Sequence, residues 1–330
     1  KVIAQAKIKK ILLCGGQGDP IYNSSFLPII EYFKQTTPSL SLAIVTNGSY
    51  KNKSWWQALS GLLNEHDSIT FSVDGWDNDS NNLYRMNSNF ESILTGLQTM
   101  ATSKAKVRWS TIVFRFNQNH INTIKAIAQE NGADFFDVTI SNLFGSRCPH
   151  YVDQHIGYDP LEPNSRAFIS QFGRYERFTE LLSNKVFTNA KEDPALTKRW
   201  KNTEKEFSDK YIFPLCRAGN RGLYVDASGI LYPCSWVSHP FGTRESSLRP
   251  KKVITWKESL WVKHRELFNL NNRSLEEVLN DPIWEKLLCS WSNKETAFVE
   301  CEQKCLKQET NKTNSSRRPY AQFAFREVSQ

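Results

Sequence analysis

The chain has 330 residues, enough for two domains of ordinary size, and its 42 Lys and Arg against 34 Asp and Glu give a net charge of +8. These charges are scattered along the sequence, so nucleic acid is not an expected partner. No apolar run of about 18 residues occurs, and no apolar signal segment follows Lys1, so we expect no membrane partner and no secretion. Seven cysteines in such a chain favour metal or redox use in a reducing cytoplasm over a disulfide framework.

Residues 8–140 alternate between the periods of strands and helices. The pattern predicts strands at 8–14, 42–46, 69–73, 107–116 and 135–140, and helices that begin near residues 26, 54, 90 and 121. Ser24 or Ser25 fits the N-cap of the first helix, and Gly132 fits the position just after the last. Such alternation is typical of βαβ units in a parallel sheet, but it does not separate a doubly wound sheet from a barrel.

The second half of the chain has a different pattern. Residues 151–212 are charged and loosely helical, which predicts a connecting region. From residue 213 the sequence predicts a β-hairpin, with GLYVD and ILYPC as its strands and a turn at residues 227–229. Ser274 and Glu277 form an S-x-x-E capping box that predicts a helix start. Residues 311–330 are polar, and we expect a loosely ordered tail.

Four cysteines are spaced as metal ligands in this half of the chain: Cys216, Cys234, Cys301 and Cys305. The first two flank the predicted hairpin, and the last two form a C-x-x-x-C pair. Four thiolates suit zinc or an iron–sulfur cluster, although free cysteines are also often simply buried. Of the other three, Cys14 could be a core thiol, Cys148 has no assigned role, and Cys289 could be a buried thiol or an alternative fourth ligand.

Small and polar residues follow each of the first three predicted strands. The loop after the first strand reads CGGQGDP, the second strand ends in Thr46-Asn47-Gly48, and the third in Ser72-Val73-Asp74-Gly75. Because carboxyl ends of parallel strands meet at one edge, these residues predict a shared polar pocket. The glycine loop is not G-x-G-x-x-G, and no Walker lysine follows it, so neither dinucleotide nor P-loop binding is supported.

The order of these motifs resembles the radical S-adenosylmethionine (SAM) superfamily. It comprises GGQGDP, TNGS and FSVDG, then Tyr84-Arg85 ahead of an amphipathic helix, and Asn117 after the fourth strand. The cysteine pattern, Cys-x12-Gly-x4-Cys followed by Cys-x3-Cys, is similar to that superfamily's SPASM/twitch domain. The resemblance covers roughly residues 8–145 and 213–305.

This resemblance implies an α/β fold with two domains. Residues 1–150 would form a partial (β/α)6 TIM-like barrel that lacks its first strand. Residues 151–212 would connect it to a small C-terminal cysteine-rich α+β domain, built on the β-hairpin, at residues 213–310. Residues 311–330 would be the polar tail.

The resemblance also implies a set of cofactor-binding residues. The glycine motif would contact the methionine amino group of SAM through Gly16, Gly18 and Asp19, where Asp19 replaces the usual glutamate. Ser72 and Asp74 would hold the methionine or ribose, and Asn47 and Asn117 would line the pocket. Arg85 could pair with the SAM carboxylate, or be a surface arginine at a helix start.

The function implied by the resemblance is radical chemistry. A reduced [4Fe-4S] cluster donates an electron to SAM, and the resulting deoxyadenosyl radical abstracts a hydrogen atom from a peptide, a protein or a small cofactor precursor. The four spaced cysteines would bind an auxiliary [4Fe-4S] cluster, and the electron donor would be a protein such as flavodoxin or ferredoxin. The alternative is a non-catalytic α/β binding protein in which the same cysteines hold structural zinc.

The sequence departs from this family in one respect. The C-x3-C-x2-C motif that binds the SAM-cleaving cluster does not occur in it. We therefore expect that this chain is an N-terminally truncated enzyme, which binds SAM weakly and does not cleave it.

Overall fold

The structure is a computed structural model that describes residues 8–14, 18–140, 223–233, 264–284, 286 and 321–324, with only the backbone of residues 140 and 321–324. The chain divides into two compact units, residues 7–189 with 315–330 and residues 1–6 with 190–314. Each unit is described here by itself. The four segments expected from the sequence, 1–150, 151–212, 213–310 and 311–330, stay predictions.

The first unit is built on a six-stranded sheet. Five strands are parallel and lie in chain order: β1 (Lys10–Leu13), β2 (Ser41–Thr46), β3 (Ser68–Ser72), β4 (Lys106–Val113) and β5 (Phe135–Ile140). The predicted strand order is therefore confirmed for these five strands. No switch in strand order of the doubly wound type occurs among them, which agrees with the partial-barrel expectation.

Helices connect the parallel strands; four were predicted from the hydrophobic periodicity, and the short one at Asn78–Asn82 was not. They are α1 (Phe26–Thr36), α2 (Lys53–Leu62), α3 (Asn78–Asn82), α4 (Phe90–Met100) and α5 (Ile121–Glu130). The N-cap of α1 is Ser25, but its side chain makes no capping hydrogen bond. Gly132 follows α5 with φ +88°, the left-handed conformation expected of a glycine just after a helix end.

One face of the sheet is an apolar core. The strand register aligns Phe71, Trp109 and Phe136, which are all fully buried, on this face. Helix α2 packs on it through Trp56, whose ring lies 5.4 Å from Phe71, and α4 through Phe90, 6.3 Å from Trp109. Burying side chains of this size stabilises the fold by roughly 1.5–3 kcal/mol each, so this face anchors the helices.

The sixth strand of this sheet corrects the expectation of a loosely ordered tail at residues 311–330. Strand β8 (Ala321–Ala324) pairs antiparallel with β5, with Phe136 opposite Phe323. This part of the tail is therefore not loosely ordered, because its backbone groups complete the hydrogen bonding along β5. The sequence signal was short, a single phenylalanine among small and polar residues, and it did not distinguish a strand from a polar tail.

The second unit contains the predicted hairpin. Strands β6 (Tyr224–Val225) and β7 (Leu231–Tyr232) pair antiparallel, and Asp226 closes the turn by accepting hydrogen bonds from the backbone N–H of Ser228 and Ile230. The Tyr232 hydroxyl donates to the other oxygen of Asp226 at 3.1 Å. Burial and the adjacent carboxylate raise the pKa of Tyr232 to about 12.

A short helical segment lies beside this hairpin. A 3-10 turn at Arg265–Phe268 leads to α6 (Leu275–Leu279), and an isolated bridge joins Asn269 to Ile230. The capping box predicted at the start of α6 is confirmed, since Ser274 and Glu277 each accept a hydrogen bond from the other's backbone N–H.

Among the helices that the structure describes, none combines the length and the apolar character needed to cross a membrane.

Candidate site at the carboxyl ends of the strands

Most of the predicted site residues lie at one edge of the sheet. Asp19, Asn47, Asp74 and Asn117 follow β1, β2, β3 and β4, and parallel pairing brings the ends of these strands together. Their predicted placement on one rim is confirmed by side-chain contacts between neighbouring loops, given below. Gly16 lies outside the described residues, and Gly18 precedes Asp19 with φ +143°.

Asp19 joins the loop after β1 to the end of β2. Its Oδ1 accepts a hydrogen bond from the backbone N–H of Ile21 at 3.2 Å. Its Oδ2 accepts from the Thr46 hydroxyl at 3.0 Å and from the backbone N–H of Asn47. Burial raises the pKa of Asp19, and these hydrogen bonds oppose the rise. The carboxylate therefore holds the rim together, a contribution that comes in addition to any contact with a ligand.

Asn47 is turned toward its own loop. Its Oδ1 accepts hydrogen bonds from the backbone N–H of Ser49 at 3.0 Å and from the Tyr22 hydroxyl at 3.3 Å. The Tyr22 ring in turn lies 6.3 Å from that of Tyr50, and both tyrosines are exposed. The first two loops of the rim are thus linked by polar and aromatic contacts, and aromatic surface is left open to solvent.

Asp74 and Arg85 form a buried ion pair. Arg85 Nε lies 2.7 Å from Asp74 Oδ2, although its N–H is not aligned for a hydrogen bond. Asp74 Oδ1 accepts from the backbone N–H of Ile112 at 2.7 Å. The Asp74 side chain is fully buried and that of Arg85 is 22% exposed. Burial raises the pKa of Asp74, and the Arg85 guanidinium opposes that rise.

This pairing leaves one edge of Arg85 available. Among the described residues, no partner hydrogen-bonds to its Nη1 or Nη2, which are the two nitrogens that form a fork with a carboxylate. Asp74 contacts Nε from the buried side, and none of the described residues occupies the two-nitrogen edge of the guanidinium. The arrangement fits a ligand carboxylate at this point of the rim.

Asn117 and Asn81 shape the rim by binding backbone. Asn117 is fully buried, and its Nδ2 donates to the carbonyls of Asp74 at 2.7 Å and Ile112 at 2.9 Å. Its Oδ1 accepts from the backbone N–H of Phe114 at 2.8 Å. Asn81 accepts from the backbone N–H groups of Asp74 and of the next residue. With its amide engaged in this way, Asn117 positions the loop that carries Asp74.

Gly75 allows this loop to close. A Cβ on Gly75 would lie 2.2 Å from the backbone nitrogen of Asn81, so no larger residue fits without a backbone shift. We expect Gly75→Ala to lower the free energy of unfolding by about 1–3 kcal/mol, measured by urea denaturation.

A matched control is Gly61→Ala in α2. A Cβ there meets nothing within 4 Å, and alanine favours a helix over glycine, so this change should stabilise by about 0.5–1 kcal/mol. Equal effects of the two substitutions would contradict the close packing at Gly75.

Ser72 lies on a second, polar face of the sheet. The strand register places Ser72, Ser110 and Asp137 in one row across three neighbouring strands, on the face opposite Phe71 and Trp109. Thr70 and Arg108 form the next row on the same face. Among the described residues, none hydrogen-bonds to the hydroxyls of Thr70, Ser72 or Ser110. This face is therefore polar and incompletely paired within the described part of the chain.

Arg108 and Asp137 are the charged pair of this face, and sequence reasoning missed them. Arg108 donates through Nε to Asp137 Oδ2 and through Nη2 to Oδ1, both at 2.9 Å. Burial raises the pKa of Asp137, against the effect of Arg108. The available signal was the alternation in KVRWSTIV, because buried parallel strands usually read as continuous apolar runs.

The predicted metal ligands lie outside the described residues. This applies to Cys216, Cys234, Cys301 and Cys305, and also to Cys148 and Cys289. Cys14 is described, forms no disulfide and is exposed, so the interpretation of it as a core thiol is wrong. Within the described ranges, no group of three or more His, Cys, Asp or Glu side chains is arranged to hold a metal ion.

Asp77 caps the short helix α3, which follows the loop that carries Asp74. It is the N-cap of α3, and its Oδ1 accepts from the backbone N–H of Ser80 at 2.7 Å. Hydrogen bonds from Ser80 lower the pKa of Asp77. Asp77 is nevertheless exposed, so its role is to begin the helix.

Comparisons with known proteins give similarity in structure alone. No protein-family model matches the sequence, and no curated protein gives a significant match. One similar solved structure is native anSMEcpe with bound AdoMet, at 14% identity and a TM-score of 0.46, over 85% of this chain and 69% of that one. Another is Streptococcus suis SuiB bound to S-adenosylmethionine, at 14% identity and a TM-score of 0.44, over 84% of this chain and 55% of that one.

A third similar structure is coproporphyrinogen III oxidase (HemN) from Escherichia coli, described as a radical SAM enzyme, at 10% identity and a TM-score of 0.41. The similar region covers 52% of this chain and 40% of the HemN chain. With all three TM-scores below 0.5, these similarities assign neither an activity nor a substrate to the chain.

Proposed function

We propose that the rim of the parallel sheet binds SAM and that the chain is part of a radical SAM enzyme. The observation that carries the proposal is Arg85: its Nε is held by buried Asp74, and its Nη edge is unpaired among the described residues. A fixed two-nitrogen edge suits the α-carboxylate of an amino-acid moiety, which SAM carries. The motif order around Asp19, Asn47 and Asp74, from which the resemblance was inferred, is consistent with this assignment.

The remaining rim residues would act mainly by position. Asp19 holds the loops after β1 and β2 together, and from the described residues its Oδ1 accepts one hydrogen bond, which leaves capacity for the methionine amine. Asn117 fixes the backbone of Asp74. Ser72, whose hydroxyl has no partner among the described residues, is available to a ribose or methionine oxygen.

The cofactors of the proposed enzyme are SAM and [4Fe-4S] clusters. Together they would supply a carbon-centred radical that removes a hydrogen atom from a substrate. Because the sequence contains no C-x3-C-x2-C motif, we propose that the described residues bind SAM, and we give them no role in its cleavage. We propose that Cys216, Cys234, Cys301 and Cys305 hold an auxiliary cluster, that an electron-transfer protein is the reductant, and that the location is cytoplasmic.

Equilibrium dialysis with radiolabelled SAM tests the proposal. We expect saturable binding, displaced by unlabelled SAM and less well by decarboxylated SAM, because the latter cannot contact Arg85. Absence of saturable binding to the folded chain would refute the proposed site. The folded state is checked in parallel by circular dichroism.

The alternative function, a zinc-stabilised binding protein, rests on the same four cysteines. Metal analysis and the visible spectrum of protein purified without oxygen separate the two. Stoichiometric zinc with no iron–thiolate absorption, together with no SAM binding, would favour the alternative. Iron and sulfide with that absorption would favour the enzyme.

A further inference from the structure

The polar face of the sheet carries a second arginine whose two-nitrogen edge is open. Arg108 donates Nε–H and one N–H of Nη2 to the two oxygens of Asp137, both at 2.9 Å. Its other three N–H groups, two on Nη1 and one on Nη2, have no partner among the described residues. The end of the guanidinium therefore keeps one N–H on each of two neighbouring nitrogens, which is a complete fork.

Two contacts fix the direction of this fork. The Asp137 carboxylate holds one side of the guanidinium, and the Phe135 ring lies with its centre 4.5 Å from Arg108 Cζ. A fixed arginine loses little rotamer freedom when it binds a ligand. The Arg108 side chain is 20% exposed, so solvent still reaches it.

Unpaired hydroxyls lie beside Arg108 on the same face. Thr70 is opposite Arg108 in β3, and Ser110 is two residues along β4 with Ser72 opposite it. All three are partly exposed, and no described residue hydrogen-bonds to their hydroxyls. The central strands of parallel sheets are usually covered by apolar packing on both faces. Here polar groups with spare hydrogen-bonding capacity take that place on one face.

The shape of the open edge determines which group it suits. Arginine N–H groups only donate, so the ligand atoms that face them must be acceptors. A carboxylate presents two oxygens in one plane and can pair with both N–H groups of the fork, whereas an amide presents one oxygen. Arg85 has the same open edge beside a buried aspartate, and there too a carboxylate is the fitting group.

Asp137 does not exclude a second carboxylate at Arg108. It occupies a different side of the guanidinium, so a ligand carboxylate on the open edge lies nearer to the positive charge than to the Asp137 oxygens. Because Coulomb energy falls with distance, the attraction is larger than the repulsion. A phosphate dianion would lose more hydration in this half-buried position, which favours a singly charged group.

A carboxylate bound at Arg108 belongs to a molecule other than SAM. SAM has one carboxylate, which the proposed function places at Arg85. Asp74, the partner of Arg85, accepts from the backbone N–H of Ile112, which lies four residues beyond Arg108 on β4. At roughly 3.3 Å per residue, these two points of the strand are about 13 Å apart. Arg108 is therefore at a lower level of the sheet than the proposed SAM site at the rim.

We propose that Arg108 binds a carboxylate group of the substrate, with Thr70 and Ser110 as further hydrogen-bond partners. The inference rests on the proposed function, because it takes the second ligand of a SAM-binding unit to be its substrate. It adds a chemical requirement, a singly charged carboxylate. Arg108 is the specificity-determining residue, and Asp137 is a positioning residue that acts through it.

Butyrate and its amide, butyramide, are matched probes for this site. Each is titrated into the full chain at constant ionic strength and followed by NMR of the arginine Nε–H groups. The signals of Arg108 and Arg85 are identified by their loss in Arg108→Lys and Arg85→Gln. We expect butyrate to shift the Arg108 signal saturably and to bind about tenfold more tightly than butyramide. Absence of this shift, or equal or tighter binding of butyramide or of methyl phosphate, would overturn the inference.

Arg108→Lys separates the fork from the charge. Lysine keeps a positive charge beside buried Asp137, but it cannot form a two-nitrogen fork. The comparison is made in the Arg85→Gln background, with isotope-labelled butyrate observed directly and folding checked by circular dichroism. We expect Arg108→Lys to weaken butyrate binding about tenfold and Lys104→Gln, the control, to leave it unchanged. Equal affinities in the two variants would overturn the inference.

SAM titrated into the unsubstituted chain distinguishes this inference from the proposed function. SAM should shift the Arg85 signal and leave the response of Arg108 to butyrate intact. No response of Arg85 to SAM would refute the proposed function, while a butyrate response at Arg108 would still support a carboxylate site there. If SAM instead displaces butyrate from Arg108, the carboxylate at Arg108 is that of SAM, and the inference of a second ligand is overturned.

Discussion

Replacement of Asp67 by alanine is expected to lower the free energy of unfolding by about 3–5 kcal/mol, the usual cost of removing one partner of a buried ion pair. Asp67 Oδ1 lies 2.6 Å from Lys34 Nζ and 2.8 Å from the backbone nitrogen of Leu42, and Oδ2 accepts from Asn64 N–H at 2.7 Å. The side chain of Asp67 is fully buried and that of Lys34 is 11% exposed. Alanine would leave a largely buried ammonium, one buried N–H group and one partly buried N–H group without this acceptor.

Urea denaturation followed by tryptophan fluorescence and circular dichroism measures the effect. Asp67→Asn should cost less than Asp67→Ala, because the amide oxygen still accepts from a backbone N–H. The control is Glu130→Gln at the exposed end of α5, expected to change stability by no more than about 0.5 kcal/mol. Similar small losses from Asp67→Ala and the control would show that Asp67 does not anchor α1 and β2.

Replacement of Arg85 by glutamine is expected to weaken SAM binding about 10- to 100-fold. Glutamine cannot form a two-nitrogen fork, and charge-assisted hydrogen bonds contribute roughly 1.5–3 kcal/mol. The same substitution should abolish the preference for SAM over decarboxylated SAM, because that preference arises from the carboxylate. Equilibrium dialysis with both ligands measures the two effects.

The matched control is Lys104→Gln, which removes an exposed positive charge just before β4, at the opposite edge of the sheet. It should leave both affinities unchanged. Arg85→Gln also removes the partner of buried Asp74, so stability will fall with it. If Arg85→Gln lowers stability but keeps the preference for SAM over decarboxylated SAM, the role of Arg85 is the ion pair with Asp74 and not the binding of SAM.

The parallel pairing of the strands could be predicted from local patterns, whereas their order was implied only by the family resemblance. Alternation of apolar runs with amphipathic helices indicates parallel βαβ units, and the structure has the five strands in chain order. The same reasoning located the hairpin at residues 224–232 and the capping box at Ser274, because turns and caps involve residues within a few positions of each other. It also placed Asp19, Asn47 and Asp74 at one edge of the sheet.

The partners of the polar side chains could not be predicted in this way. The resemblance implied that Arg85 lies in the pocket, but not that Asp74 contacts its Nε. Asp19 was interpreted as a ligand contact, whereas in the structure its Oδ2 also joins the loops after β1 and β2. Such contacts depend on how two loops distant in sequence approach each other, and no local pattern records that path.

By itself, the sequence determined the α/β alternation, the parallel sheet, the polar rim and the hairpin, because each follows from propensities and spacings within a few tens of residues. Only the tertiary structure decided the pairs Arg108–Asp137 and Lys34–Asp67, and the addition of β8 to the edge of β5. These contacts join residues about 30 to 190 positions apart, where strand register and helix packing select the partner.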